Sequence, residues 1–269
     1  MSPVTGMIKA LRVRGTVSAT VKATNVRTVL TDNAEISQGS TVTTAPGASV
    51  VLSFSNGASV NLGTDSSLDI EQFTQDAFSG TLSAATITAE PTTSTTKLRL
   101  TKGELVSKVA KLNAAGGSTF TVNTPVGAAG IRGTTFRIVY RINPATGQAL
   151  FSLTTTEGSV NMALLATGAV ATAPVDVAAG TEIAVTANID AAGNVTVTLP
   201  SGATTVIATN VSTATNAEIA ASASVIAQAV ANVVITPPVI SGAASGGTEP
   251  NQSGVIINPI NPTTVSPSQ

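Results

Sequence analysis

The sequence predicts a mainly all-β fold, a stacked, solenoid-like β-sheet domain that is followed by one C-terminal helix and an extended tail. Three observations predict it. Only 3% of the 269 residues are aromatic and 10% charged, so a core has to be assembled from Val, Ile, Leu, Ala and Thr, side chains that suit a pleated surface. Apolar and polar residues alternate over short runs, and Gly, Pro, Asn and Asp punctuate those runs at close intervals. Helical periodicity stands out in one stretch, Ile219 to Val230.

Taken in order, strand signals begin at Val13-Arg14-Gly15-Thr16-Val17 and continue through Ala34 to Thr44. Asn56-Gly57 reads as a hairpin turn, because both residues tolerate positive φ and the flanks alternate, Val50, Leu52 and Phe54 before and Ala58, Val60 and Leu62 after. The Ser-, Thr- and Ala-rich segment from Gly80 to Thr96, which contains Pro91, reads as a surface loop or poorly paired edge strand. A proline turn and three glycines are packed between Asn123 and Phe136, so the chain must turn sharply there and re-enter a sheet. Beyond it, Phe136, Ile138, Tyr140 and Ile142 point one way and Arg137, Val139 and Arg141 the other. Asn143 to Gly147, Glu157-Gly158, Ala192-Gly193-Asn194 and Ser201-Gly202 read as further turns.

Thr215-Asn216-Ala217-Glu218 has the spacing of a capping box, and Ile219, Ala223, Ile226 and Val230 form the apolar stripe of a helix that ends near Asn232. Such a helix either closes one end of the β-core or packs on a sheet face. Six prolines among the last 33 residues rule out a continuous central strand, although Gly254 to Ile260 is apolar; Val255, Ile256, Ile257 and Ile260 form a candidate assembly segment. The boundaries are 8–165 for the β domain, 166–212 for a β extension packed on it, 213–232 for the helix and 233–269 for the tail.

Composition removes much chemistry. The chain has no Cys, which excludes disulfides, thiolate metal sites and cysteine nucleophiles, and no His, which removes the usual general base. Ser107 and Lys108 are neighbours in a strand and face opposite ways. Asp69 and Glu71 share a face, but no aromatic sugar platform accompanies them, and Asp65 to Glu71 lacks the central glycine of a calcium loop. The expectation is a protein without catalytic residues, metal or cofactor. All thirteen Lys and Arg lie within the first 141 residues, which hold eight acids and so carry +5; the remaining 128 residues hold six acids and no base. The two parts either neutralise each other within the fold or draw copies together head to tail. Scattered bases without a stacking platform argue against nucleic acid.

The run T-P-V-G-A-A-G-I-R-G-T-T-F from Thr124 to Phe136 resembles the signature of the FecR domain, the periplasmic module of surface-signalling regulators that also occurs in secreted proteins. Pro125, Gly127, Gly130, Arg132, Gly133, Thr134 and Phe136 carry the likeness as a structural motif. Residues 13–17, 34–44, 49–63, 98–106 and 156–160 agree with that family in order and spacing, so the resemblance spans about residues 10–165, with an insertion near Gly80 to Thr96. It implies a β-rich domain of stacked short strands with no catalytic activity. Arg132 is expected to tie down carbonyls of the glycine corner with its five donors.

Lys9, Arg12 and Arg14 are not followed by an apolar stretch, and no segment reads as a membrane span. Either export is not used or a leader has been removed, and the resemblance favours removal; regulators of the resembled family carry a cytoplasmic segment and a membrane helix before the domain, and this sequence shows neither. The leading expectation is a secreted, non-enzymatic structural or interaction protein, extracellular or at the cell surface, whose partners are copies of itself in a fibre or surface layer. The alternative is a periplasmic sensing and signal-transduction module that binds a receptor domain.

Overall fold

The computed structural model describes residues 3–165, 173–190, 194–198 and 206–237. The chain opens with β1 (Val4–Thr5), β2 (Ile8–Arg14), the hairpin of β3 (Val17–Val21) and β4 (Val26–Val29), and β5 (Glu35–Ile36). There follow β6 (Ser40–Thr44), the hairpin of β7 (Ser49–Phe54) and β8 (Ser59–Leu62), β9 (Ser67–Gln75), β10 (Leu82–Ser83) and the long β11 (Ser94–Lys108). After a short 3₁₀ turn at Ala114–Gly116 come β12 (Thr119–Thr124), β13 (Gly127–Ile131), β14 (Thr135–Asn143), β15 (Gln148–Glu157) and β16 (Ser159–Leu164). The last elements are β17 (Val175–Ala178), β18 (Thr181–Ile189), β19 (Val195–Thr198), β20 (Thr209–Asn210), the helix α1 (Thr213–Val230) and β21 (Val234–Ile235).

The large strands form two sheets. One runs β4-β3-β6-β9-β11-β12-β13-β16-β17, with β1 beside the far end of β9. The other runs β5-β2-β7-β8-β11-β14-β15-β18-β19, with β20 also on β18. Strand β11 belongs to both: Ser94–Lys102 pair with β9 and Gly103–Lys108 with β14. The change of sheet falls at a register shift between Leu100 and Lys102 and at Gly103, whose φ of 96° is a left-handed conformation. A side chain at Gly103 would sit 2.1 Å from Ser66 Oγ, so the crossing admits only glycine. Among the described residues the fold is mainly β with a single α-helix, as the sequence predicts. Stacking, however, is not that of a parallel solenoid: among the described strand pairs all but β11–β12 are antiparallel, because tight hairpins reverse the chain at almost every step.

Between the sheets lies one core, and the alternation seen in the sequence sorts residues into it. Phe136, Ile138 and Tyr140 are buried, as are Val50, Leu52, Phe54, Val60 and Leu62 on either side of the Asn56-Gly57 turn. Phe54 and Phe73 meet edge to face at 5.2 Å, a favoured aromatic geometry. Asn56 does more than turn the chain: its buried amide donates to Ser94 Oγ (3.0 Å) and Thr96 Oγ1 (3.2 Å) and its oxygen accepts from Ala58 N. Those bonds tie the hairpin to the start of β11, so part of the segment read as a loop or poorly paired edge strand is strand paired on both sides. Within the rest of it, β10 pairs with β21, so residues 234–235 are strand as well, although the sequence places them in the tail.

Helix α1 begins one turn earlier than the Thr215 capping box implies. Ser212 is the N-cap, its Oγ accepting from Thr215 N at 3.1 Å, because the serine hydroxyl reaches the third free amide of the first turn. The helix lies on the outer face of the second sheet, where Ile219, Ile226 and Val230 pack against Leu11, Val51 and Val106; of the two placements open from sequence, the sheet face is the one adopted. Ala223, the fourth residue of the expected stripe, is only partly buried.

Beside that helix, Glu104 accepts from Arg137 Nε at 2.8 Å and from Arg141 Nη2 at 3.0 Å, and Arg137 also reaches Glu218 of α1 at 3.0 Å. Burial by itself would raise the Glu104 carboxyl, but the bonds and charges of Arg137 and Arg141 outweigh it and hold the group below its ordinary value of 4.5. The folded state therefore binds the Glu104 proton less readily than the unfolded chain. Its contribution to stability is complete above the ordinary value and is lost as pH falls through the lowered one. Glu104→Gln should reduce stability at pH 7, and its gap from wild type in chemical denaturation should close as the pH drops below 4.5; a gap independent of pH would assign the loss to shape. Ile226→Ala should cost about 2–5 kcal/mol in the same assay, since it empties the centre of the helix–sheet contact.

Candidate functional site

The motif picked out in the sequence folds as a corner between the sheets. Pro125 and Val126 turn β12 into β13, and Thr124 Oγ1 donates across the turn to Gly127 O at 3.0 Å. Strand β13 is held between β12 and β16, so Gly127 lies where a β-carbon would be 2.2 Å from Ala163 O. Gly133, at φ 79°, backs onto Lys111, whose Cα would be 2.8 Å from a side chain there; Gly158, at φ 74°, backs onto Gly133 O at the same distance. These two glycines interlock where the chain passes from β13 to β14 and from β15 to β16. Phe136 then enters the core, and Thr134 and Thr155 bury hydroxyls that have no hydrogen-bond partner among the described residues.

Two motif positions behave differently from expectation. Gly130 has open space over it, since a β-carbon there would find its nearest neighbour, Asn161 O, at 3.7 Å, so no close approach requires glycine. Arg132 is exposed, and among the described residues no hydrogen bond or ion pair holds its guanidinium. It does not tie down carbonyls; the corner closes through backbone contacts such as Val109 N to Thr134 O at 2.9 Å. Lys108 and Lys111 are exposed beside it and are likewise free of ion pairs among the described residues. Of the six described ion pairs, five join residues within the first 141 positions and only Arg137–Glu218 spans the two oppositely charged parts. Contact between the parts thus leaves the charge segregation largely in place. Asp69 and Glu71 are bound rather than solvated: Asp69 takes Lys22 and Thr41, both at 2.6 Å, and Glu71 takes Arg99 at 2.8 Å.

The other end of the first sheet presents a surface that the sequence did not single out. Among the described residues, strand β4 pairs with β3 alone. Asn25 N donates to Val21 O and Leu30 N to Val17 O, at 2.8 and 2.9 Å, which fixes the alternation of the antiparallel ladder. Val26 and Thr28 therefore turn their backbone groups to β3, and Arg27 and Val29 turn theirs outward. Val26 and Val29 are 56% and 67% exposed, high for valines in a strand. A four-residue strand of mixed polarity has too short a period to stand out in sequence; its one local signal is Asn25, which takes φ 55° in the turn before it. The candidate assembly segment, Val255, Ile256, Ile257 and Ile260, lies outside the described residues, as does the Ser201-Gly202 turn.

Two substitutions separate these roles. Gly133→Ala should destabilise by about 1–3 kcal/mol, because it combines a left-handed backbone with a clash against Lys111. Arg132→Ala should leave the melting transition within about 0.5 kcal/mol of wild type, as for other surface changes. Thermal unfolding of the two variants side by side checks both.

No helix among the described residues is long and apolar enough to cross a membrane, and no cluster of three or more acidic residues there could hold a metal ion. No curated protein matches the chain. Two solved structures, each described as a "putative anti-sigma factor" from Parabacteroides distasonis, are similar to it at 13% and 12% identity with TM-scores of 0.40 and 0.39. Each similarity covers 63% of this chain and 59% of the other, so the chain spans about three fifths of the length of those proteins. The family model described as FecR protein matches residues 40–161, from β6 to the middle of β16. The glycine corner lies inside that match and β2 to β5 precede it; residues 40–161 of this chain are a FecR domain.

Proposed function

We propose that this chain is a non-enzymatic interaction module of extracytoplasmic signalling, which binds an extended segment of a receptor domain along β4. The FecR domain over residues 40–161 supports the signalling class, since the resembled regulators act through partners and not by chemistry. The observation that carries the site is the open side of β4, with the backbone groups of Arg27 and Val29 unpaired by any neighbouring strand and two valines exposed beside them. An incoming strand would complete that ladder, each hydrogen bond contributing roughly 0.5–1.5 kcal/mol, and would cover the valines. The module would work on the periplasmic or outer side of a membrane.

Assembly into a fibre rests on the charge segregation alone among the described residues, because the apolar tail segment lies beyond them. Sedimentation separates the two readings. A signalling module stays monomeric at high concentration, and reversible polymers that dissolve in salt would replace this proposal with head-to-tail assembly.

The edge itself is tested by Val29→Pro, which removes the outward N–H and leaves the bonds of Thr28 to β3 intact. A photo-crosslinker at Val29 should capture a receptor domain in cells, and one at Ala178 on the opposite edge strand β17 should not. Val29→Pro should abolish capture by a crosslinker placed at Val26, with the melting temperature preserved. Capture that persists in the proline variant, or adducts of the chain with itself, would refute docking on β4.

A further inference from the structure

Arg27 of β4 also reaches a cleft of about 260 Å³ on the first sheet, at the ends of β3, β6 and β9 and beside the bend of β11. Its polar lining includes Thr16, Arg27, Thr43, Asp65, Ser67 and Lys102. The floor is rigid. Thr44 Oγ1 donates to Gly63 O at 2.6 Å, and Ser66 Oγ accepts from Glu104 N at 2.9 Å. Asp65 is held at φ 49° in the turn that precedes β9, which presents its carboxylate to Lys102 Nζ at 2.6 Å. Both partners of that pair are about half exposed, at 52% and 50%, so it contributes little to stability and can be exchanged for a ligand at small cost. Arg27 uses Nε on Ser18 Oγ at 2.9 Å, and its terminal nitrogens make no hydrogen bond among the described residues.

We infer that this cleft binds a small hydroxylated carboxylic acid of the sugar-acid class. The carboxylate lies between Lys102 and the free fork of Arg27, where charge-assisted bonds are strongest. Asp65, released by Lys102, accepts from ligand hydroxyls, and Thr16 and Ser67 add hydroxyls of their own. The volume is below that of pockets for drug-sized ligands and suits an occupant of about one sugar unit. Among the described residues no aromatic ring lines the cleft, so a neutral sugar has nothing to stack on there and the acid group must supply the affinity. Since Arg27 stands on β4, an occupied cleft would also order the edge strand and couple ligand to partner, a consequence that rests on the proposed docking; binding in the cleft does not.

The test is titration calorimetry of the full chain with glucuronate, glucose and inorganic phosphate at low salt. Glucuronate should saturate one site, glucose should give no saturable heat, and phosphate should compete weakly. Lys102→Met should weaken glucuronate at least tenfold and Arg27→Gln similarly, while Lys97→Met, on an exposed lysine outside the cleft, should match wild type. Melting curves verify that each variant is folded. Absence of saturable glucuronate binding, equal binding of glucose, phosphate binding as tightly as glucuronate, or wild-type affinity in folded Lys102→Met would each overturn the assignment. Because no partner protein is present, failure here leaves docking on β4 standing, and failure of docking leaves this site standing.

Discussion

Strand β11 runs first in one sheet and then in the other, and the two layers are held in relation to each other by that passage. Its fifteen residues make partners of β9 and β12 on one side of the bend and of β8 and β14 on the other. The bend requires a left-handed residue with no side chain, because Ser66 fills the space where a β-carbon of Gly103 would stand. Hydrogen bonds then fix the crossing. Ser66 Oγ accepts from Glu104 N, and Thr44 Oγ1 accepts from Ser66 N, so the corner of one layer is tied to the strand entering the other.

Several features with separate roles hang on this crossing. Glu104, the residue after the bend, gathers Arg137 and Arg141 on the outer face of the second sheet, and Arg137 in turn reaches Glu218 of the helix. Lys102, the residue before it, still belongs to the first sheet and pairs with Asp65 at the mouth of the polar cleft. The bend within a single strand thus sends one charge to the helix side and the other to the cleft. The glycine corner of the motif is a second passage between the layers. Gly133 and Gly158 are needed there for close backbone approach, as Gly103 is at the first, and the arginine between Ile131 and Gly133 is left on the surface.

Much of the strand content was readable because a half-buried strand writes period two into its side chains. Phe136, Ile138 and Tyr140 enter the core as the alternation requires, although Ile142, on the same face, is left exposed near the end of β14, and Asn56-Gly57 makes the turn that its φ preferences favour. Arg132 was misread for a physical reason: five donors beside glycines look useful, but whether they meet acceptors depends on which way the side chain leaves the corner, and local sequence does not encode that direction. The cap of α1 shows the same limit at smaller scale, since Ser212 and Thr215 are both good capping residues and the structure uses Ser212.

By itself the sequence determined the mainly-β class, the hairpins, the helix with its stripe and the family of the motif, because each depends on local periodicity or on backbone freedom at particular glycines. Only the tertiary structure decided that the strands form two largely antiparallel layers sharing β11, that the helix covers a sheet face, and that β4 is left with an open edge. Those outcomes depend on which strands become neighbours. Pairing joins residues as distant as Lys22 and Asp69 or Arg12 and Gln228, and contact at such separation follows from burial of the whole core rather than from any short stretch of chain.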